Sequence, residues 1–211
     1  MLFVGRDCSS CERGVSARGL QVARHPVAQG RRKSCSHTHI RPSTYEALAK
    51  IRPAFGGVQT GGNSSAIVDG AAAALVASGD YAKSRAGKPL ARVAAVATVG
   101  VPPEIMAIGP APAIRKLLDG IGLSIDAIDR FEINEAFAAQ VMGVERELKL
   151  DRSKLNVNGG AIAIGHPLAA TGVRLAVTLA RELQRSQKRY GVASACIGGG
   201  QGIAVLLENP N

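Results

Sequence analysis

Near its C-terminal end the chain sets a thiol and a cluster of glycines between two apolar runs, 190–197 and 203–208, as Cys196-Ile197-Gly198-Gly199-Gly200-Gln201-Gly202. Both runs have the length and composition of strands, so the glycines make this a strand–turn–strand unit. Successive glycines after a strand cost backbone entropy, and they are explained if another molecule must come close to the main chain. This unit therefore limits the fold to one with a sheet, and it places a reactive side chain at the sheet's end.

What packs on that sheet follows from composition. Hydrophobic residues make up 46% of the 211, but aromatics only 3%, with no Trp. The core is therefore built from Ala, Val, Ile, Leu and Gly in close backbone packing, which suits an α/β sheet layered with helices. Charge marks a boundary: residues 1–42 hold 8 Lys+Arg against 2 Asp+Glu, and the remaining residues 18 against 14. More than half of the basic excess thus lies in a fifth of the chain, so the net +10 is no nucleic-acid footprint on the folded part. Residues 1–38 show no helical or strand period and are expected to be a disordered basic tail, followed by a connecting segment over 39–60 and a domain over 61–211. No run reaches the roughly 18 apolar residues of a membrane span. With Cys196 the one thiol of the domain, a reducing compartment fits. Cys8, Cys11, Cys35, His37 and His39 carry zinc-ligand chemistry, but their spacing and context argue against a metal site.

Along the domain, Ser43 or Thr44 caps a short helix over 45–51. The small-residue run 69–78 is expected to be a buried helix, 90–99 a strand, 105–112 a loop, and 113–118 a helix stopped by Gly120 and Gly122. A strand over 128–133 runs into Asn134, with a helix over 135–150. A glycine-punctuated loop covers 156–167. An amphipathic helix over 171–184 turns Val173, Val177, Ala180 and Leu183 to one side. Strand, helix, loop, helix, strand and strand make an α/β half-sandwich.

Three side chains in this frame carry chemistry. His166 stands between Gly165 and Pro167, is held extended by the proline, and faces the start of the next helix. By itself a lone histidine here is more often one hydrogen-bonded for structure, and it is the surrounding Asn158 to Pro167 string that favours a functional reading. Cys196 ends a strand beside the glycine turn, although a buried free cysteine is ordinarily an inert small hydrophobe. Asn134 leaves a strand and precedes a helix, at the edge where α/β folds bind ligands; an ordinary helix N-cap explains the position as well. An imidazole, a thiol and a carboxamide beside backbone N–H groups suit proton transfer and oxyanion binding on a thioester.

The strings Glu132-Ile133-Asn134-Glu135-Ala136-Phe137, Asn158 to Pro167 and Cys196 to Gly202 resemble, in order and separation, the C-terminal half of thiolases, in particular the 3-ketoacyl-CoA type. The resemblance covers about residues 39–211. It implies a mixed sheet with helices on both faces, half of a five-layer αβαβα sandwich. It implies acyl transfer to coenzyme A in fatty-acid β-oxidation, with coenzyme A a substrate and no resident cofactor or metal. By resemblance His166 activates a nucleophilic cysteine and helps hold the thioester oxygen, and Cys196 moves a proton at the substrate α-carbon and at the incoming CoA sulfur. Asn134 anchors a water in the oxyanion site, Glu135 orders the site, and the Gly198 N–H supplies half of an oxyanion hole. Ser65 matches the serine that touches the pantetheine arm, though Ala66 and Val68 replace the family's usual glycine and asparagine.

The family's nucleophilic cysteine belongs to an N-terminal half that this sequence does not carry. The expectation is therefore a C-terminal portion that is inactive alone, either a truncated product or one subunit of a split thiolase. A non-catalytic CoA-binding or interaction module is the other class. Expected partners are acyl-CoA or CoA, and a thiolase N-terminal half or further copies of the chain, with neither nucleic acid nor membrane. The expected location is cytoplasmic. The stretch 18–26 loosely resembles the nonapeptide that sends some thiolases to peroxisomes, but Gly19 and Pro26 break it at anchor positions.

Overall fold

The computed structural model describes residues 2–3, 43–84 and 88–211. Strands β1 (Leu2–Phe3) and β2 (Leu75–Val76) form a small antiparallel ribbon. The main sheet holds β3 (Arg92–Gly100), β4 (Arg130–Ile133), β5 (Tyr190–Ile197) and β6 (Gln201–Glu208), in the order β3–β6–β5–β4. The glycine turn makes β5 and β6 an antiparallel hairpin, with Cys196 opposite Gly202 and Ile197 opposite Gln201. β3 adds antiparallel to β6, whereas β4 lies parallel to β5. A parallel neighbour needs a long crossover. Here that crossover carries helices α4 (Ala138–Leu148), α5 (Ala161–Ile164) and α6 (Thr171–Arg185), and three earlier helices, α1 (Tyr45–Ala49), α2 (Gly79–Lys83) and α3 (Pro110–Ile121), precede it.

Helices cover both faces of the sheet, and the strands alternate between them. Val192 of β5 and Leu206 of β6 enter one core with Ile114, Leu117 and Leu118 of α3 and Val144 and Leu148 of α4. Their neighbours Ala193 and Leu207 enter a second core with Leu175, Leu179, Ala180 and Leu183 of α6. A sheet buried on both sides needs apolar residues in consecutive positions, which accounts for the unbroken apolar runs of β5 and β6. This is the expected mixed sheet with helices on both faces. The buried stripe of α6 is rotated from the expected one, because the Leu175–Leu179–Leu183 row meets the sheet and leaves Val173 and Val177 half-buried. α3 closes at Gly122, whose φ of 67° is the left-handed cap a glycine permits.

Several local expectations are corrected. The run 69–78 is not a buried helix but an extended, largely exposed segment ending in β2. A run of small apolar residues has no period to separate strand from helix, and here tertiary contact decides: Gly70 lies on Pro167, so close that a Cβ would stand 2.9 Å from the proline's. Segment 105–112 is mostly helical, a 3₁₀ turn over Pro103–Ile108 leading into α3. The helix after Asn134 starts only at Ala138, since Asn63 to Ser65 pair with 136–138. Thr44 caps α1 as expected, accepting from Ala47 N at 3.2 Å. Leu2–Phe3 lie within the expected tail, but its disorder and the cysteines and histidines considered for zinc fall outside the described residues. Among the described residues, no helix is long and apolar enough to cross a membrane.

Candidate active site

The motif residues gather at the C-terminal ends of β4 and β5. Ile133 pairs with Ser194 in the last rung of that ladder, and the Asn134 N–H then donates to Ser194 O at 2.9 Å. Asn134 thus leaves the sheet beside β5, two residues before Cys196. Beyond it, Ser65 N donates to Ala136 O at 3.0 Å, and Ala138 N to Asn63 O at 2.8 Å. The same 63–68 segment reaches the histidine loop, where the His166 N–H donates to Ala66 O at 2.7 Å. Loops at the carboxyl ends of parallel strands are where open α/β sheets bind ligands.

His166 Nδ1 stands 2.6 Å from the Thr171 Oγ1, which also lies 3.0 Å from Pro167 O. With the hydroxyl's one proton on the Pro167 O side, Oγ1 accepts from Nδ1–H and Nε2 keeps its lone pair, able to take a proton. Burial holds the imidazole below its ordinary pKa, and the Arg174 guanidinium pushes the same way, so the neutral base is favoured.

Asn134 is only 1% exposed, and neither its amide oxygen nor its amide nitrogen has a partner within the described chain. Buried amides are nearly always hydrogen-bonded, so this one calls for a group beyond the described residues. It is not the N-cap of α4; Phe137 holds that place without a side-chain bond. Glu135 orders its surroundings, accepting from Asn156 Nδ2 and from Ile162 N, both at 3.1 Å. Gly160 lies against this carboxylate, where a Cβ would stand 2.3 Å from Cδ.

Cys196 is a free, half-buried thiol. Burial pushes its pKa up, against a smaller opposing effect of a backbone hydrogen bond, so it is held as a protonated acid. The glycines after it divide into two kinds. Gly199 and Gly200 have φ of 84° and 90°, and a Cβ on Gly200 would stand 2.2 Å from Val101 O, so the fold requires them. Gly198 is exposed, and a Cβ there would meet nothing within 4 Å. The fold does not require a glycine at 198, which leaves its main chain open to an approaching ligand.

Ser65 lies in the 63–68 segment, its hydroxyl donating to Ala136 O at 3.2 Å. That bond stitches the motifs together, and only the oxygen's lone pairs stay free for a ligand. Val68 packs on Gly165, so the departure from the family pattern sits against the histidine loop.

Four further residues emerge only from the structure. Thr171 meets the histidine ring at Nδ1. Asn156, at a φ of 46°, accepts from Ile133 N at 2.8 Å and donates to Ile133 O at 2.9 Å, so its amide replaces a missing strand neighbour for β4. Glu132 and Arg174 are polar groups in the layer between β4 and α6. A Thr five residues after His166 and an Asn three residues before Gly159 were the available signals, and neither is distinctive without the contacts.

Comparison with known proteins agrees with this fold. The family model described as "Thiolase, C-terminal domain" matches residues 87–209, and "Thiolase, N-terminal domain" matches residues 24–80. An acetyl-CoA acetyltransferase of Paracoccus denitrificans is 52% identical over 170 residues, 80% of this chain and 44% of the relative. The mitochondrial 3-ketoacyl-CoA thiolase of Homo sapiens is 51% identical over 174 residues, 81% of this chain and 44% of the relative. A crystal structure of human mitochondrial 3-ketoacyl-CoA thiolase in complex with CoA superposes with a TM-score of 0.81 at 49% identity, covering 83% of this chain and 45% of that one. The chain therefore spans less than half the length of the relatives it matches. Since a family model matches more than half of its residues, and these relatives agree with it at about one position in two, the chain belongs to the thiolase family.

Proposed function

We propose that this chain supplies the proton-transfer part of a thiolase site that cleaves 3-ketoacyl-CoA with coenzyme A. The nucleophilic cysteine would come from a thiolase N-terminal half. The observation that carries this reading is a buried Asn134 amide with no partner among the described residues, beside the end of the strand that bears the protonated Cys196 thiol and tied through the 63–68 segment to the loop of His166.

The roles follow from the protonation states. Nε2 of His166 takes the proton of the nucleophilic thiol and, once protonated, donates to the substrate's carbonyl oxygen. The thiolate attacks the keto carbon, and cleavage of the adjacent carbon–carbon bond leaves its electron pair on the α-carbon of acetyl-CoA. Cys196 protonates that carbon, which its raised pKa equips it to do. The resulting Cys196 thiolate then takes the proton of the incoming CoA thiol, whose sulfur attacks the acyl-enzyme and expels the nucleophilic cysteine, which regains its proton from His166. Asn134, through a water, and the Gly198 N–H stabilise oxyanions. Coenzyme A is a substrate in this scheme, held near Ser65 and the glycine turn, and the protein needs no resident cofactor. The setting is β-oxidation of fatty acids in the cytoplasm.

The test is reconstitution. The chain alone should show no thiolysis of acetoacetyl-CoA, because without the nucleophile the covalent path is missing. Co-expressed with a thiolase N-terminal half, it should gain activity that His166→Ala, Cys196→Ala and Asn134→Ala each remove. Reconstituted turnover insensitive to Cys196→Ala would overturn the mechanism. Tight CoA binding without turnover in any combination would favour a binding module.

A further inference from the structure

Behind His166 the structure holds two ionisable groups that the reaction does not use directly. Glu132 lies between Phe131 and Ile133 on β4; those two enter the core under α3 and α4, so Glu132 turns to the opposite face, against α6. It is 2% exposed, and its Oε1 receives no hydrogen bond. Arg174, one turn beyond Thr171 on α6, has Nε and Nη2 shielded from solvent and also without partners. Among the described residues these two form no ion pair with each other. The other acids that face Glu132 are engaged elsewhere. Glu182 takes Arg130, Arg185 and Asn158, and Glu135 takes Asn156 and Ile162 N.

A buried carboxyl with a bare oxygen, no cation bonded to it and two acids facing it is stable as the neutral acid. Burial, with lesser pushes from Glu135 and Glu182 and against the pull of Arg174, raises Glu132 to about 8. This leaves Glu135 as the carboxylate acting on the guanidinium, which sits one helical turn from the Thr171 hydroxyl that contacts the imidazole.

We propose that Arg174 and Glu132 are positioning residues for His166: a guanidinium whose buried Nε and Nη2 have no hydrogen-bond partner among the described residues, beside a carboxyl that keeps its proton, holds the imidazole uncharged and ready to accept a proton. An ionised Glu132 would cancel the Arg174 charge and release that push. The inference rests on His166 being the base of the proposed reaction, but its test does not require turnover.

In the purified full chain, the imidazole Cε1–H signals are followed by NMR across pH, with His166 assigned by the signal lost in His166→Asn. Arg174→Gln should raise the His166 midpoint by about one unit. Arg174→Lys, which keeps the charge, should restore most of the depression; a purely structural role for Arg174 would make Lys and Gln behave alike. Glu132→Gln exchanges one neutral group for another and should leave the midpoint unchanged. An unmoved midpoint in Arg174→Gln overturns the proposal, and so does a lowered one in Glu132→Gln, which would show an ionised carboxylate. If circular dichroism shows that Arg174→Gln does not fold, Arg174→Met replaces it; if neither folds, the Glu132→Gln arm decides. In the reconstituted enzyme, Arg174→Gln should also move the acid limb of the rate profile upward. Absence of reconstituted thiolysis alongside these NMR shifts would sink the proposed function and leave the electrostatic inference standing.

Discussion

At the scale of single residues, neighbouring glycines have different reasons to be glycine. Gly200 is held at a positive φ against Val101 O, so Gly200→Ala should cost about 2 kcal/mol or more in a urea melt. Gly198 has open space around it, so Gly198→Ala should stay within about 0.5 kcal/mol of the parent. Its damage should appear only in the reconstituted enzyme, as lost turnover; equal stability losses at both positions would show that 198 is structural too. Glu132 gives a pH signature. Its folded pKa of about 8 exceeds the ordinary 4.5, so the folded chain binds this proton more tightly and stability falls as pH rises between those values. Glu132→Gln should therefore be nearly neutral at pH 5 and stabilising by on the order of a few kcal/mol at pH 8.5, measured by denaturant midpoints. A variant less stable at both pH values would mean that the carboxylate is needed in its charged form.

At the scale of elements, the site depends on how β4 ends. One neighbour, β5, carries its ladder, and on the other side Leu155 bridges Phe131 while the Asn156 amide satisfies both the N–H and the C=O of Ile133. Asn156→Ala would leave those two groups and one Glu135 bond unmade. The expected loss is about 2–4 kcal/mol by thermal or chemical melting, with hydrogen exchange accelerated at Ile133 and Asn134 first. Uniform acceleration across the sheet would place the weak point elsewhere. Thr171 does for the histidine loop what Asn156 does for the strand: the first residue of α6 holds the ring through a 2.6 Å contact at Nδ1.

At the scale of the whole molecule, apolar surface remains uncovered. Tyr45, Phe55, Val58, Ile67, Leu75 and Val76 are each more than half exposed, all within or beside the stretch matched by the N-terminal-domain family model. The surface at issue is this stretch from α1 to β2 and not the helix expected over 69–78. A patch of that kind promotes association. The isolated chain should therefore run as oligomers or aggregates in light scattering, and co-expression with a thiolase N-terminal half should convert it to a defined complex. A monodisperse monomer indifferent to that half would count against the fragment and split-enzyme readings together.

The sequence alone determined the glycine hairpin, the apolar strands and the helix expected over 171–184, and it singled out His166, Cys196 and Asn134, because each is written locally as a run, a period or a short motif. Only the tertiary structure decided that 69–78 is extended, because an unpatterned run of small residues takes its conformation from what it touches, here Pro167. The protonation states were beyond the sequence for the same reason. Whether Nε2 is the free nitrogen, whether Cys196 keeps its proton and whether Glu132 is neutral depend on burial and on partners tens of residues away, and no local pattern encodes a dielectric environment.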